Sequence, residues 1–244
     1  MPVTPPHLEH GHEPHEIARR LEDGPRISYL RDWVYGGIDG TVTTFAIVAG
    51  AIGADLSNRF LLILGAANLL ADGFSMAAAN YSGTKTELEE YSFVRAMEKR
   101  HIEHAPDGEK EEVRQIFAAK GFKGKMLEQA VDVITEEHER WIDTMMTEEH
   151  GLPPVKRSPF MAGFVTFLAF IICGFVPVAP FAFGMPASIT ASVIMAAATF
   201  FLIGSLRSRW SPVYWLRAGT ETLAIGLASA SVAYLVGDFL KQII

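Results

Sequence analysis

Cysteine is almost missing from this chain of 244 residues, in which Cys173 is the only one. A single cysteine cannot form a disulfide within the chain, so a disulfide-stapled scaffold is excluded. A basic excess is missing too, because 21 Lys and Arg stand against 28 Asp and Glu. A nucleic-acid-binding protein would carry a basic patch, so we expect no nucleic-acid partner. The apolar share of 49% excludes a disordered chain.

Charge itself is missing from five long windows of the sequence. Of the 28 acidic residues, 17 fall within residues 82–158, and each window contains at most one charged residue. A helix needs about 20 mostly apolar residues to cross the bilayer core. The windows of this length are residues 33–54, 60–81, 160–183, 186–206 and 218–237. They predict an all-α integral membrane protein with five transmembrane helices, in contact with the lipid bilayer.

The basic residues predict the orientation of these spans. With five spans, the N-terminal tail, residues 82–158 and the turn after the fourth span lie on one side. That side carries 19 of the 21 Lys and Arg, leaving Arg59 and Lys241 for the other. Cytoplasmic segments carry the basic excess. We therefore expect a cytoplasmic N-terminus and a cytoplasmic 82–158 segment, and we favour a bacterial inner membrane because no organellar signal is evident.

Ionisable side chains inside the predicted spans are the first functional candidates, since a charge in the bilayer is costly. Asp39 lies early in span one, among glycines that permit close approach of a neighbouring helix. Span two places polar or sulfur-bearing side chains at four-residue intervals, on one helix face: Asn68, Asp72, Met76 and Asn80. Lining a pore and packing against a neighbour are equally compatible with this spacing.

Two features of the later spans have structural interpretations. Glu221 follows Arg217 by four residues, an interval that predicts an ion pair on one helix. Pro177 and Pro180 are expected to break the third span.

Residues 82–158 are too polar for the membrane and too long for a plain connector. Helical patterns predict that span two continues to about residue 104, that a break follows at residues 106–108, and that further helices cover residues 109–120 and 127–149. This segment is predicted to be a cytoplasmic helical metal-binding domain, inserted between the second and third spans.

Candidate metal ligands in this segment recur at helix-face spacing. Carboxylates and imidazoles with thioethers suit a divalent transition metal better than Mg²⁺ or Ca²⁺. Solvated amphipathic helices also carry Glu at such intervals, so spacing alone leaves both interpretations open. The candidates are Glu98, His101, Glu109, Glu112, Met145, Met146 and Glu149. Glu98 and His101 also match one Glu-x-x-His unit of a di-iron oxidase site, but such sites need two units and two more Glu.

The sequence divides into four predicted units. The first is residues 1–32, a polar tail followed by an interfacial helix over residues 16–33. The tail reads HLEHGHEPH from His7 to His15, which could bind metal loosely but is better explained as a solvated, disordered tail. The other units are residues 33–81 with spans one and two, residues 82–158, and residues 159–244 with spans three to five.

Several motifs resemble one known family, the vacuolar iron transporter family of vacuolar iron and manganese importers and their bacterial relatives. They are YGGIDGTVTTFAIVAGAIGA in span one, SMAAANYSGTKTE at the end of span two, HAPDGEKEEV and IDTMMTEEHGL in the cytoplasmic segment, and GFVPVAPF in span three. Together they extend from Arg31 over most of the chain, with order and spacing kept.

The resemblance implies a transporter rather than an enzyme, with five transmembrane helices, a homodimer and a translocation path at the dimer interface. It implies that Asp39 and Met76 line this path. It also implies a cytoplasmic domain that gathers metal through Glu98, Glu109, Glu112, Met145, Met146 and Glu149. Transport in the family is proton-coupled antiport of Fe(II) or similar ions out of the cytosol, which involves metal ions and protons but no organic cofactor.

The chain departs from the family pattern at Asn68 and His101, where the family typically has Glu. Asn68 cannot carry a proton, and Asp72, one turn further along, could replace that carboxylate. His101 can still bind a transition metal. We therefore expect an exporter of Fe(II), with Mn(II) as a further substrate. The alternative is a membrane-anchored iron-binding, ferroxidase or metal-sensing module that does not transport.

Overall fold

The computed structural model describes residues 11–24 and 27–243, and no β-strand occurs among them. His7 and His10 of the His-containing tail lie outside these residues. The helices are α1 (Pro14–Asp23), α2 (Leu30–Gly53), α3 (Asn58–His104), α4 (Pro106–Ala119), α5 (Gly124–Glu136), α6 (His138–Glu148), α7 (Pro159–Ala182), α8 (Ser188–Arg207) and α9 (Trp215–Ile243). A 3₁₀ turn, Ser208–Trp210, follows α8.

Five of these helices, α2, α3, α7, α8 and α9, are long and apolar enough to cross a membrane. This confirms the predicted all-helical class and the five predicted spans. The helices extend beyond the uncharged windows, because a helix continues into the interface while its backbone hydrogen bonds are satisfied. Many large apolar side chains on them face outward, as lipid contact requires.

Small residues let α2 pack closely against α7. A Cβ on Gly36 would lie 2.3 Å from the carbonyl oxygen of Thr166, and one on Gly40 would lie 2.5 Å from that of Phe170. These distances are too short for any side chain, so the two helix backbones touch where the glycines face α7. The predicted close approach near Asp39 is therefore confirmed, with α7 as the neighbour.

The prediction that prolines break the third span is wrong, because α7 runs through both Pro177 and Pro180. A proline removes one backbone donor from the helix. The hydroxyl of Ser192 on α8 donates to the carbonyl oxygen of Pro177 at 2.6 Å, which ties α8 to α7 beside this proline. Packing of α7 between its neighbours keeps the helix continuous.

A second hydrophobic core lies outside the spans. It joins the last turns of α3 to α4, α5 and α6, and we call this unit the acidic bundle (residues 84–152). Its buried apolar residues are Ile102, Val113, Val131, Trp141, Ile142, Met145 and Met146. As predicted, α3 continues out of the span to His104 without interruption. Its 47 residues span about 70 Å.

The helix boundaries of the acidic bundle differ from those predicted. Pro106 is the first residue of α4, so residues 106–108 form a helical turn and the break is confined to Ala105. Proline is favoured at this position because the first N–H of a helix needs no partner. The 127–149 region, for which the sequence predicts one or two helices, contains two, since Glu137 adopts an extended conformation between α5 and α6.

The predicted interfacial helix over residues 16–33 is also divided. The first helix, α1, ends at Gly24, whose φ of 64° is left-handed, and α2 begins at Leu30. A left-handed glycine after the last helical residue is a common helix terminator.

Candidate functional site

The membrane-spanning part of α3 faces α2 through polar side chains. Asp39 on α2 and Asp72 on α3 are close enough for electrostatic repulsion between their carboxylates. One turn away, the amide of Asn68 donates to the hydroxyl of Thr43 at 3.2 Å. Met76 lies one turn beyond Asp72 and is half-buried, as are the other predicted path residues. The structure thus brings Asp39, Asn68 and Asp72 to one helix–helix interface.

Asn80, the last member of the four-residue series, belongs to a different set of contacts. Its amide donates to Asp32 at 2.8 Å and to the Thr166 hydroxyl at 2.7 Å. Asp32 is buried and accepts two hydrogen bonds from Arg157, at 2.6 and 2.7 Å. Asn80 therefore ties α3 to α2 and α7, which favours packing over pore lining for this residue.

A cavity of about 1060 Å³ reaches Asp39 from the end of the bundle where α2 begins and α8 ends. Asp39 is its only acidic lining residue in the described chain. Its basic lining residues are Arg31, Lys156, Arg157 and Arg207. Arg207 donates to Glu221 at 2.8 Å, so the predicted pairing of Glu221 with Arg217 is wrong. The end of α8 and the beginning of α9 meet there, so Glu221 pairs with Arg207 of α8 and not with a residue of its own helix.

In the acidic bundle, two buried glutamates are the centre of a second polar site. The side chains of Glu98 on α3 and Glu109 on α4 are 2% and 7% exposed. Each has one carboxylate oxygen, Oε2, that is buried and has no hydrogen-bond partner. Leaving a buried acceptor unpaired costs about 1–3 kcal/mol. A bound cation would satisfy these oxygens.

Two histidines adjoin these glutamates. His101 Nδ1 lies 3.8 Å from Glu98 Oε1 and 3.5 Å from Glu109 Oε1. His150 Nε2 lies 2.9 Å from Glu98 Oε1 and 3.6 Å from Glu149 Oε2. Two potential metal-holding triads result, Glu98–His101–Glu109 and Glu98–Glu149–His150, and in each the donor atoms lie within 4.8 Å of one another.

Crowding of carboxylates changes the acidity of this cluster. Burial, followed by the charges of Glu112, Glu98 and Glu149, raises the pKa of Glu109 from 4.5 to about 7. Burial also raises the pKa of Glu149, with Glu112 and Glu98 adding to the effect. Carboxylates that resist ionisation in this way gain from a divalent cation, which removes the repulsion between them.

Most of the predicted metal ligands meet here. Glu98, His101, Glu109 and Glu149 supply triad atoms, and Glu112 is near enough to repel Glu109 and Glu149. Met145 and Met146 are fully buried in the second core, and the backbone N–H of Glu149 donates to the carbonyl of Met145 at 3.0 Å. The two methionines are thus at the base of the turn that carries Glu149.

His150 is not among the predicted ligands, because helix-face spacing is the pattern on which those predictions depend. His150 lies beyond the end of α6, in a turn to which no helical spacing applies. The signal was its position directly after Glu149. The same four letters, TEEH, occur earlier and end at His138, which is exposed and in neither triad.

Comparisons with known proteins find relatives over most of the chain. The model of the VIT family matches residues 30–238. A protein of Toxoplasma gondii named vacuolar iron transporter is 33% identical over 88% of this chain and 76% of its own length. Vacuolar iron transporter 1 of Arabidopsis thaliana is 29% identical over 96% and 92%. A vacuolar iron transporter of Plasmodium falciparum is 26% identical over 87% and 82%.

These matches cover both the spans and the acidic bundle. The relatives are named as transporters, in agreement with the prediction of a transporter rather than an enzyme. The predicted resemblance is confirmed, and the chain belongs to the VIT family.

Proposed function

We propose that this protein exports Fe(II) from the cytosol across a membrane in exchange for protons. The observation that carries the proposal is the pair of carboxylates, Asp39 and Asp72, at the α2–α3 interface inside the spans. Intramembrane carboxylates of this kind mark ion pathways and proton relays. The names of the relatives support iron as the substrate, and Mn(II), which accepts the same oxygen ligands, is a second substrate of the proposal.

The proposed path begins at the acidic bundle, where Glu98, His101, Glu109 and Glu149, with Glu112, Met145 and Met146 around them, collect the ion. The ion then enters the spans and binds Asp39 and Asp72, displacing protons, with Met76 as a softer ligand one turn away. Asn68 is held by Thr43, so it orients the site without exchanging a proton. Asp72 takes the carboxylate role in this chain.

The cavity that reaches Asp39 supports access from the proposed cytoplasmic side. Four basic residues surround it, which would repel a cation. Two of them are already neutralised, Arg157 by Asp32 and Arg207 by Glu221. The other two, Arg31 and Lys156, are exposed to solvent, while Asp39 is half-buried.

The proposal includes a homodimer with the path at its interface. Large apolar side chains on α3 remain exposed in the single chain, among them Ile63, Leu70 and Phe74. A second copy or lipid must cover them.

The proposed orientation places the N-terminus and the acidic bundle in the cytosol. The relatives named for a vacuole come from eukaryotes, so they lend no support to the bacterial inner membrane that the sequence favoured.

Metal flux into proteoliposomes that contain a pH-sensitive dye tests this function. Wild-type protein should carry Fe(II) inward while protons move outward, and Asp39→Asn and Asp72→Asn should each abolish both signals. The matched control is Asp55→Asn, because Asp55 is exposed in the loop after α2 and pairs with Lys241. Flux without proton movement would support the proposed transport but contradict the proposed exchange for protons. No flux, with metal still bound, would favour the anchored module.

A further inference from the structure

Both triads of the acidic bundle contain a nitrogen donor as well as carboxylate oxygens. Each contains two carboxylates and one imidazole, from His101 in one triad and from His150 in the other. Glu98 is common to both. Nitrogen is thus present at either position where an ion can be held.

The spacing of these donor atoms suits a small transition metal. Around a tetrahedral ion with bonds of about 2.1 Å, neighbouring ligand atoms are about 3.4 Å apart. His101 Nδ1 is 3.5 Å from Glu109 Oε1, and His150 Nε2 is 3.6 Å from Glu149 Oε2. The distances to the shared Glu98 Oε1 are 3.8 Å from His101 Nδ1 and 2.9 Å from His150 Nε2, so an ion that enters either triad must shift these pairs by about half an ångström.

Imidazole changes which ion such a site prefers. Carboxylate and water ligands suit Mg²⁺, Ca²⁺ and Mn²⁺, whereas imidazole favours iron and the later first-row ions. The affinity of a mixed nitrogen and oxygen site rises from Mn²⁺ through Fe²⁺ to Co²⁺. An all-carboxylate cluster would separate these ions less.

We propose that His101 and His150 are specificity-determining ligands that make the acidic bundle discriminate against Mn(II) in favour of Fe(II) and later divalent ions. This deepens the proposed function, on which it rests, by naming the ion class that is loaded. His150 contributes as a ligand and not only as the hydrogen-bond partner of Glu98. The two imidazoles act separately, one in each triad.

Equilibrium binding of Mn(II) and Co(II) to the full chain in detergent tests the proposal. His101→Glu and His150→Gln each replace a nitrogen donor by oxygen, and Gln at 150 can still hydrogen-bond to Glu98. The double variant His101→Glu/His150→Gln should lower the ratio of the Mn(II) Kd to the Co(II) Kd by about tenfold. Each single variant should lower it less, because the other triad keeps its imidazole. The visible absorption of bound Co(II) should change as a nitrogen ligand is lost. His138→Gln, in the matching TEEH string, should change neither.

An unchanged ratio in the double variant, with Co(II) still bound, would overturn the proposal. If the double variant fails to fold, as judged by its elution and its tryptophan fluorescence, His101→Gln replaces His101→Glu in it, at a half-exposed side chain. An unchanged ratio there is equally decisive against it. Flux in proteoliposomes separates the two proposals. If wild-type protein shows no flux while the substitutions still change the Kd ratio, only the transport proposal is contradicted.

Discussion

Glu109 is the residue at which charge and metal compete most directly. The groups that face it are Glu112 on its own helix, Glu98 and His101 on α3, and Glu149 after α6. Burial and its carboxylate neighbours place its pKa at about 7. Near neutral pH, therefore, this side chain holds a proton that a metal ion bound as proposed would displace.

The raised pKa of Glu109 predicts how stability of the metal-free protein depends on pH. The folded protein keeps a proton up to about pH 7 that the unfolded chain releases near 4.5. The free energy of unfolding should therefore fall as pH rises between these values. Glu109→Gln should be more stable than wild type by about 3 kcal/mol at pH 8, with the gain vanishing near pH 4.

Thermal unfolding in detergent with a chelator, followed by tryptophan fluorescence, measures this difference. Glu103→Gln is the control, because Glu103 is exposed near the end of α3 and belongs to neither triad. A gain that stayed constant from pH 4 to pH 8 would contradict the assigned pKa.

The sequence placed several residues of the candidate site on helix faces. Glu98, His101 and Glu109 lie in helices, where side-chain spacing determines which residues share a face. His150 follows a helix end, and its approach to Glu98 depends on how α6 packs against α3. The pairing of Asn68 with Thr43 likewise depends on which helices touch, which a single sequence does not encode locally.

Among the helices, the α2–α7 contact depends on glycine. Gly36 and Gly40 face carbonyl oxygens of α7, while Gly37 faces the side chains of Cys173 and Ile203. Helices in membranes associate through such close packing, since apolar surface gains little by leaving lipid. The sequence indicated the glycines, but their partner helix emerged only from the fold.

Alanine substitution of single glycines on α2 tests the close contact between α2 and α7. In Gly40→Ala the new methyl would lie 2.5 Å from the Phe170 carbonyl oxygen, so α2 and α7 must move apart. We expect a loss of about 1–3 kcal/mol, as for other overpacked sites. In Gly50→Ala the methyl would lie 3.4 Å from its nearest neighbour, an ordinary contact. Equal unfolding temperatures for the two variants would contradict the close contact between α2 and α7.

The continuity of α3 joins the spans to the acidic bundle. Gly83 lies in this helix just beyond the predicted span, exposed and with open space around its Cβ position. Gly83→Ala should therefore stabilise the helix by about 1 kcal/mol. Gly83→Pro removes a backbone hydrogen bond and kinks the helix. It should reduce metal flux severalfold while leaving Co(II) binding at the acidic bundle intact, and unchanged flux would show that continuity is unnecessary.

At the scale of the whole molecule, five spans and a polar insertion were predictable because bilayer thickness sets the length of an apolar helix. The arrangement of the spans was not. Apolar residues face both lipid and protein, so hydrophobicity cannot tell which helix is central. The structure makes α2 the most buried span and α9 the least.

The distribution of basic residues predicts an orientation that labelling can test. On a Cys173→Ala background, which removes the only cysteine, Leu56→Cys and His138→Cys place single exposed thiols at the two ends of the molecule. In bacterial spheroplasts an impermeant maleimide should label position 56, and should label position 138 only after permeabilisation. The reverse pattern would place the acidic bundle outside the cytosol.

The unbroken α3 also sets the distance between the two proposed metal-binding regions. Met76 and Glu98 are 22 residues apart on it, which corresponds to about 33 Å. That exceeds the Debye length of about 8 Å, so charge at one region is hardly felt at the other. An ion released at the acidic bundle is not tethered, so it must cross roughly four Debye lengths as a free solute before it meets the membrane carboxylates. Delivery between the two regions is therefore a diffusive step that the charges at neither end direct.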